Sequence, residues 1–586
     1  MTAGTHLAIM ERLERELGDP ADPATPLSFS ALLAVDEREE FPVTACRRLD
    51  ELDLHRTYVP AELGGDLTGA EDLLQVIRVL SRRDLTVTIA HCKTYLGAVS
   101  VWLAGAPAQA KELARRVLDG AVVSFALTER RHGSDLLAGE LTAAPSDGGW
   151  SRLDGEKWLI NNATRADLLC VLSRTDPSGG PRGFSLVLVD KAGLPERAYR
   201  CLPKGVLHGV RGADISGIAF DGALVPADAV VGQPGAGLEV ALKSFQITRT
   251  LCAGMSLGCV DRALRIATSF ALGHELYDRR LVDLPHAART LAEAYADTLV
   301  VEALALLATR SIQALPGELS VASAVVKYLV PTRTDRTIAS LAQVLGARAL
   351  LTGVTGVGGE GFQKVDRDHR IVGIFDGNTL VNLNSLVNQL PQLYRSYWAG
   401  TVDADGLAAA ATLTTALPRI DGDRLALLSR IGSSVVQGLP ALTEAIGAAA
   451  AGGDVPAGLA AQAGRLRDAA DALHAELTGF RPAARDVPPE DFQLARRYAT
   501  CFAAAACLHL WWHNRDAVGG DLWADALWVR AALARLLPAL ARSEDGGEDG
   551  ELLDALLPHL LAQHRDRMLF SLLPCRLGEN RTEVPA

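Results

Sequence analysis

Between Val122 and Val231 the chain changes texture. Short runs rich in apolar and β-branched residues, VVSFAL (122–127), LLCVLS (168–173) and FSLVLV (184–189), alternate with turn signals at Asp147-Gly148-Gly149, Asp154-Gly155 and Pro177-Ser178-Gly179-Gly180. Each run has the length of a strand and is too short for a helix. On both sides the pattern is helical. Upstream, the stretch from Asp72 to Leu80 sets apolar residues at helical spacing, with Pro60 and Gly64-Gly65 as interruptions. Downstream, AGMSLGCVDRALRIATSFAL and ARTLAEAYADTLVVEALALLATRSI do the same over greater lengths. A strand block enclosed by helical runs predicts an α+β, mainly helical protein with a compact antiparallel sheet or barrel inside it.

At 586 residues the chain is too long for one core. The texture divides it into a helical segment (1–120), the β-segment (121–235), a four-helix bundle (236–393) and a helical extension (394–586). In the extension, breaks fall at Ala451-Gly452-Gly453, Pro488-Pro489, Gly519-Gly520 and the acidic SEDGGEDGE run from Ser543 to Glu551. Leu494, Tyr498 and Phe502 lie at i, i+4 and i+8 there, a face that reads as core against the bundle.

The net charge of −12, with no compensating Lys/Arg cluster, speaks against a nucleic-acid partner. Nine cysteines include no C-x-x-C pair and no short Cys/His cluster, so they read as reduced, mostly buried thiols and no metal site is expected. The start, MTAGTHLAIMERLERELGD, is acidic and amphipathic where a signal peptide needs a basic start and an apolar core. No run of about 18 apolar residues predicts a membrane span. The expected compartment is the cytoplasm. The glycine-rich TGVTGVGGEGF (352–362) lacks the preceding strand of a dinucleotide-binding turn, and His513 sits on an apolar helical run as a packed residue.

Three stretches carry chemistry. ALTERRHGSD (126–135) ends a strand at Thr128 and turns through Gly133-Ser134-Asp135, where N–H groups and hydroxyls can meet a phosphate or a planar heterocycle; by itself it is equally an ordinary hairpin turn. GGWSRLDGEKWLINNATRADLLCVLSRTD (148–176) is followed by Arg182-Gly183-Phe184-Ser185. RDHRIVGIFDGNTL (367–380) passes from four polar residues through an apolar run to one carboxylate, Asp376, beside Gly377. Asp376 reads either as a general base or as the cap of a helix starting near Asn378.

The order TE-x-x-x-GSD, DG-x-K-x-x-I-x-NA-x-x-AD, RTD and RGFS resembles the β-domain of the acyl-CoA dehydrogenase flavoproteins. VPAELGGDLTGAEDL before it, FQITRTLCAGMSLGC after it, and Arg367-Asp368 ahead of Phe375-Asp376-Gly377-Asn378 extend the resemblance over residues 40 to 393. It implies a helical N-terminal domain, a β-domain and a four-helix domain, with FAD bound between the last two. By resemblance Phe125, Leu127 and Thr128 lie along the flavin, Ser134 reaches a flavin phosphate or the substrate, and Leu159, Ile160, Asn161 and Asn378 approach the flavin from other sides. Arg279, Gln343 and Gly346 support the adenine half of FAD across a homodimer or dimer-of-dimers contact. Phe245, Arg249 and Gly377 line the substrate channel, and Asp376 takes the α-proton of an acyl thioester while the β-hydrogen leaves as hydride to the flavin.

Several positions depart from the family pattern. Asp376 replaces the usual glutamate, Arg130-Arg131-His132 replace a Pro-Gly-Ala type of turn, and Trp158 stands one place early, leaving Leu159 at its position. Asn378 stands for threonine, Ala347 for a second glycine after Gln343, and His274 to Asp278 for an Arg-x-x-Phe-Gly run, with Arg279 and Arg280 as substitutes. Length and the HGSD turn are most similar to the long acyl dehydrogenase- and oxidase-like enzymes of lipopeptide biosynthesis, whose acyl chains ride on an acyl carrier protein. The implied partners are therefore a carrier-bound or CoA thioester and, as electron acceptor, an electron-transfer flavoprotein or oxygen. An ordinary acyl-CoA dehydrogenase or oxidase, extending to epoxidation, and a scaffold that has lost its chemistry stay open beside that reading.

Overall fold

The computed structural model describes residues 5–353, 360–483, 485–540, 549–573 and 575–579. Six helices come first: α1 (Thr5–Leu17), α2 (Phe29–Glu37), α3 (Val43–Glu51), α4 (Ala70–Arg83), α5 (Leu85–Ala104) and α6 (Pro107–Leu118). The start of α5 is fixed by Asp84, whose side chain accepts from the Val87 N–H and satisfies one of the open donors of the first turn. Almost every residue of α5 as far as Val101 is buried, so the helix has no polar face.

Eight strands follow: β1 (Val123–Ala126), β2 (Thr142–Ser146), β3 (Trp150–Asn161), β4 (Leu168–Arg174), β5 (Phe184–Asp190), β6 (Tyr199–Leu202), β7 (Ile215–Pro226) and β8 (Val230–Val231). They form one sheet in the order β6-β7-β3-β2-β4-β5-β8, with β1 also beside β4. The strand runs expected at 122–127, 168–173 and 184–189 are β1, β4 and β5. The sheet departs from the expected all-antiparallel form, because β1 pairs parallel to β4 with Val123 opposite Leu168, and β2 touches β4 in the same sense. The reason is connectivity: β1 enters from α6 and leaves into a long loop, so no hairpin forces it antiparallel.

The chain then rises through α7 (Gly237–Gly273), turns at a short hairpin, β9 (Glu275–Leu276) and β10 (Arg279–Arg280), and continues as α8 (Pro285–Ala314), α9 (Leu319–Leu345), α10 (Phe362–His369) and α11 (Thr379–Ala399). The four long helices α7, α8, α9 and α11 make the bundle. Gly258 lets α4 lie directly on α7, since a Cβ there would stand 2.5 Å from the Arg78 carbonyl oxygen and the Arg82 nitrogen. The extension adds α12 (Ala404–Ala411), α13 (Ser434–Gln437), α14 (Leu439–Gly452), α15 (Ala457–Glu476), α16 (Pro489–Asn514), α17 (Leu527–Leu536) and α18 (Asp549–Arg565). Helix α16 packs on α8, α9 and α11 through a face that buries Tyr498 and Phe502 completely and Leu494 in part, so one apolar core runs from the N-terminal helices through the bundle into the extension. A second core lies inside the sheet, and a third joins α5, α6, β1 and the first turns of α7.

All nine cysteines are free, seven of them buried. No described helix is long and apolar enough to cross a membrane. Most of the glycine-rich stretch, 354 to 359, and the acidic run as far as Glu548 lie outside the described residues.

Candidate active site

Asp376 stands in the loop between α10 and α11. Its backbone is left-handed (φ 53°), and so is that of Gly377 (φ 94°). Two such residues in succession turn the chain sharply; aspartate tolerates the first conformation better than most residues and glycine adopts the second freely. The turn is pinned through its carbonyls. Arg249 Nε donates to the Asp376 carbonyl at 2.6 Å, and Lys327 Nζ donates to the Val372 and Gly377 carbonyls at 2.7 and 3.1 Å. Asn382 Nδ2 adds a bond of 2.9 Å to Gly377. The carboxylate is held separately: Lys93 Nζ on α5 lies 3.0 Å from Oδ2, and Cys252 Sγ on α7 lies 3.9 Å from the same oxygen. The Phe375 ring lies beside both ammonium groups, its centroid 4.0 Å from Lys93 and 5.1 Å from Lys327.

The polar residues ahead of the loop are anchors. Asp368 accepts from the Val210 N–H at 2.6 Å and from Lys364, while Arg367 pairs with Asp36 and, at 3.0 Å, with Asp368. His369 lies between Asp335 at 2.6 Å and Ser256 at 2.8 Å. α10 is thus tied to the N-terminal helices, to the segment leading into β7 and to two bundle helices before the chain reaches Asp376. The cap of α11 is Asn378, whose Oδ1 accepts from the Val381 N–H at 2.9 Å, so the capping role weighed for Asp376 belongs to its neighbour. Burial draws the Arg249 guanidinium below its usual range and the Lys327 ammonium down to about 8, and it pushes the Cys252 thiol up to about 11.

The β-segment contributes a second wall. Phe125 on β1 meets Phe245 on α7 edge to face at 5.8 Å, and the Arg249 guanidinium lies 4.9 Å from the Phe245 ring. The chain of contacts Phe125, Phe245, Arg249 and Asp376 brings the end of β1 and the carboxylate into one site. Leu127, beyond the strand, is buried, and its carbonyl accepts from Lys157 Nζ at 2.9 Å. Thr128 is tied to β3 twice, through its hydroxyl to the Trp158 carbonyl at 2.8 Å and through its own carbonyl from the Trp158 N–H at 2.9 Å. Just beyond, Leu159 is a bulge: the β3–β7 register skips it, its φ is 56°, and its side chain is exposed. Ile160 is buried. Asn161 donates to the Ile89 carbonyl at 3.1 Å, while its Oδ1 is buried without a partner.

The loop carrying Ser134 hangs from Glu129, which pairs with buried Lys157 at 2.8 Å and accepts from the Glu140 and Leu141 N–H groups. Ser134 itself is exposed. Arg130 stacks on Trp158, 4.8 Å from its ring, and pairs with Glu156; His132 lies 3.4 Å from Glu140. Three expected residues lie elsewhere on this chain. Arg279, in the hairpin after α7, donates to the Asp283 carbonyl and is exposed, and Gln343 and Gly346 are exposed at the end of α9. By helix rise these ends stand about 36 Å from Arg249 along α7 and about 24 Å from Lys327 along α9. His513 is half-buried.

Lys93 and Lys327 were not singled out by motif. Each was nonetheless legible as a lone charge inside an apolar helical run, TIAHCKTYLGAVSVW and SAVVKYLV, where a lysine is uncommon.

A helical domain, a mainly antiparallel sheet and a four-helix bundle, meeting around one buried acid, define an α+β enzyme fold of three domains with an added helical extension. The N-terminal, middle and C-terminal domain models of the acyl-CoA dehydrogenases match residues 30–121, 124–223 and 235–390, and the chain belongs to the acyl-CoA dehydrogenase family. It is 30% identical over 241 residues to a probable acyl-CoA dehydrogenase of Mycobacterium tuberculosis, a match covering 40% of this chain and 60% of that protein. Among solved structures, an acyl-CoA dehydrogenase complexed with FAD from Bacillus anthracis is 18% identical with a TM-score of 0.72. The superposition covers 96% of this chain and 95% of that one, so the similarity of fold includes the extension. The butyryl-CoA dehydrogenase of Megasphaera elsdenii, 21% identical with a TM-score of 0.58, covers 65% of this chain and 95% of its own.

Proposed function

We propose that the protein is an FAD-dependent oxidoreductase that introduces an α,β double bond into an acyl thioester, with Asp376 as the base. The supporting observation is the double left-handed turn at Asp376-Gly377, which sets one carboxylate at the head of the seam between β1 and α7 while its peptide is pinned from two helices. Lys93 holds Oδ2, so Oδ1 is the oxygen that takes the α-proton. The Gly377 N–H is the donor nearest the base for the thioester carbonyl as negative charge develops there.

The residues present fit a flavin. A bulge peptide outside the strand ladder at Leu159, a buried Asn161 oxygen lacking a partner, and the apolar end of β1 offer a flat wall with isolated polar groups. Phe125, Leu127, Thr128, Leu159, Ile160 and Asn161 would hold FAD, and Asn378 has its amide nitrogen left to donate. Ser134 would meet a phosphate of the cofactor or the substrate arm. When bound, FAD supplies the hydride acceptor for the β-hydrogen. Arg279, Gln343 and Gly346, remote from Asp376 on one chain, would serve the site of a second copy in a homodimer.

CoA and a carrier protein present the same phosphopantetheine arm, and the carrier-bound, lipopeptide-type substrate is the narrower form of this proposal. The test is anaerobic bleaching of the bound flavin by one acyl group delivered on each carrier. Wild-type protein is expected to bleach, with the faster carrier identifying the substrate. Asp376→Asn is expected to keep its flavin and lose bleaching; bleaching by that variant at the wild-type rate would remove Asp376 as the base. Admitting oxygen or an electron-transfer flavoprotein to reduced enzyme then identifies the acceptor.

A further inference from the structure

We propose that Lys93 selects an acyl group carrying its own carboxylate near the thioester carbonyl, a succinyl- or glutaryl-type half thioester, a proposal that rests on the thioester reading above. Three cations surround Asp376, and two of them have a structural task. Arg249 and Lys327 hold the backbone of the turn. Lys93 holds no backbone. Its described polar contact is the carboxylate at 3.0 Å, and its ammonium is about nine-tenths buried.

For a simple base this placement is counterproductive. An ammonium beside a carboxylate stabilises its ionised form and weakens its hold on the proton it must take. A neutral acyl chain also gives Lys93 no other anion to turn to. The site is over-supplied with positive charge: Lys93, Arg249 and Lys327 face one carboxylate, Asp376, with the Cys252 thiol pushed up by burial and so kept protonated. Buried charge in excess calls for a counter-ion. The phosphates of a pantetheine arm cannot supply it, because the length of the arm separates them from the reacting carbons.

Position sets the class of acyl group. Oδ1 must touch the α-hydrogen, and the ammonium sits 3.0 Å from the other oxygen of the same carboxylate. An anion within hydrogen-bond reach of Lys93 therefore lies two or three bonds beyond the α-carbon. The seam has little room for a long chain, since two turns along α5 from Lys93 the fully buried Ser100 and Ser244 hydroxyls close α5 onto α7 at 2.9 Å. A carboxylate arriving there takes the ammonium from Asp376 and frees the base only when the matching substrate is bound. The bonds that change are those of ordinary dehydrogenation: the α-hydrogen leaves as a proton to Asp376, the β-hydrogen as hydride to FAD, and the acyl carboxylate is retained.

The test uses unreactive thioethers on the arm common to both carriers, S-(3-carboxypropyl)pantetheine and S-butylpantetheine, with binding to the holoenzyme read by calorimetry. Wild-type protein is expected to prefer the carboxylate at least about tenfold, the effect of one charge-assisted hydrogen bond. Lys93→Met should lose that preference while still binding the butyl compound, and Lys93→Arg should restore it. Equal binding of the two compounds by wild-type protein, or an unchanged preference in Lys93→Met, overturns the role of Lys93 and leaves the thioester reading standing. Binding of neither compound counts against both.

Discussion

Replacing Gly377 by alanine is the sharpest probe of how the base is held. An alanine Cβ would stand 2.6 Å from Arg249 Nη2, 3.1 Å from Cζ and 3.2 Å from Nε. Non-bonded contacts of this kind settle near 3.5 Å, so the guanidinium must withdraw by about 1 Å. That withdrawal stretches the Arg249 Nε bond to the Asp376 carbonyl, now 2.6 Å, beyond hydrogen-bond range. Loss of this charged bond and the left-handed backbone of residue 377 together destabilise the native state by about 3–5 kcal/mol. The activity loss follows from position: a carboxylate misplaced by about 1 Å costs roughly a hundredfold in rate. The assay is single-turnover flavin reduction beside a urea midpoint, with Gly373→Ala as the control, because a Cβ at Gly373 meets nothing nearer than 4.0 Å. If Gly377→Ala reduces its flavin within about threefold of wild type, Arg249 does not position the base.

Two further outcomes follow from buried charge. Lys157→Met should lower stability by about 3 kcal/mol, because it leaves the Glu129 carboxylate buried with only two backbone donors, and the urea midpoint measures this. The extension should lose stability in acid. Burial pushes His509 down to about 3 and His474 down to about 4, so below pH 6.5 the unfolded chain binds two protons that the native state refuses. Glu318 works the other way: burial raises it to about 7, so stability from this group falls as pH rises from 4.5 to 7. Between pH 4.5 and 6.5 two protons oppose one, and the net unfolding constant should grow about tenfold per pH unit on acidification. His509→Gln should flatten that slope in chemical denaturation read by tryptophan fluorescence.

The parts of this structure that could be read from residues are those where local pattern and tertiary role coincide. VVSFAL, LLCVLS and FSLVLV are strands because strands of that composition lie in a buried sheet, and the run of motifs ending at Asp376-Gly377 marked the site because each is a backbone geometry as much as a side chain. The parallel pairing of β1 with β4 was not legible, since strand direction depends on connections and leaves no trace in a four-residue run. Lys93 was hidden for a different reason. Helix α5 is buried nearly all round, so it shows no amphipathic face against which a misplaced charge stands out, and only packing reveals that Lys93 points at a carboxylate 283 residues away. Arg367, Asp368 and His369 looked like a solvated junction and are buried anchors, because their partners come from distant segments.

The same packing changes the meaning of the aspartate. Measured against a glutamate, Asp376 falls short of the substrate by one methylene. In the structure the volume beyond its carboxylate is held by the Lys93 ammonium, 3.0 Å from Oδ2 and backed by the Phe375 ring at 4.0 Å. A glutamate carboxylate reaches about 1.5 Å further and would occupy that position. The short acid and the lysine are therefore a matched pair, and exchanging one alone should fail: Asp376→Glu in the presence of Lys93 is expected to lose roughly a hundredfold in rate, as any displacement of the base by about an ångström would. In a Lys93→Ala background the longer acid has room, so the double variant should recover part of that loss on a neutral acyl thioester, with a coupling of about 1–3 kcal/mol in kcat/KM. Additivity within about 0.5 kcal/mol would mean that the two side chains are not sharing one space, and that the aspartate must be explained without the lysine.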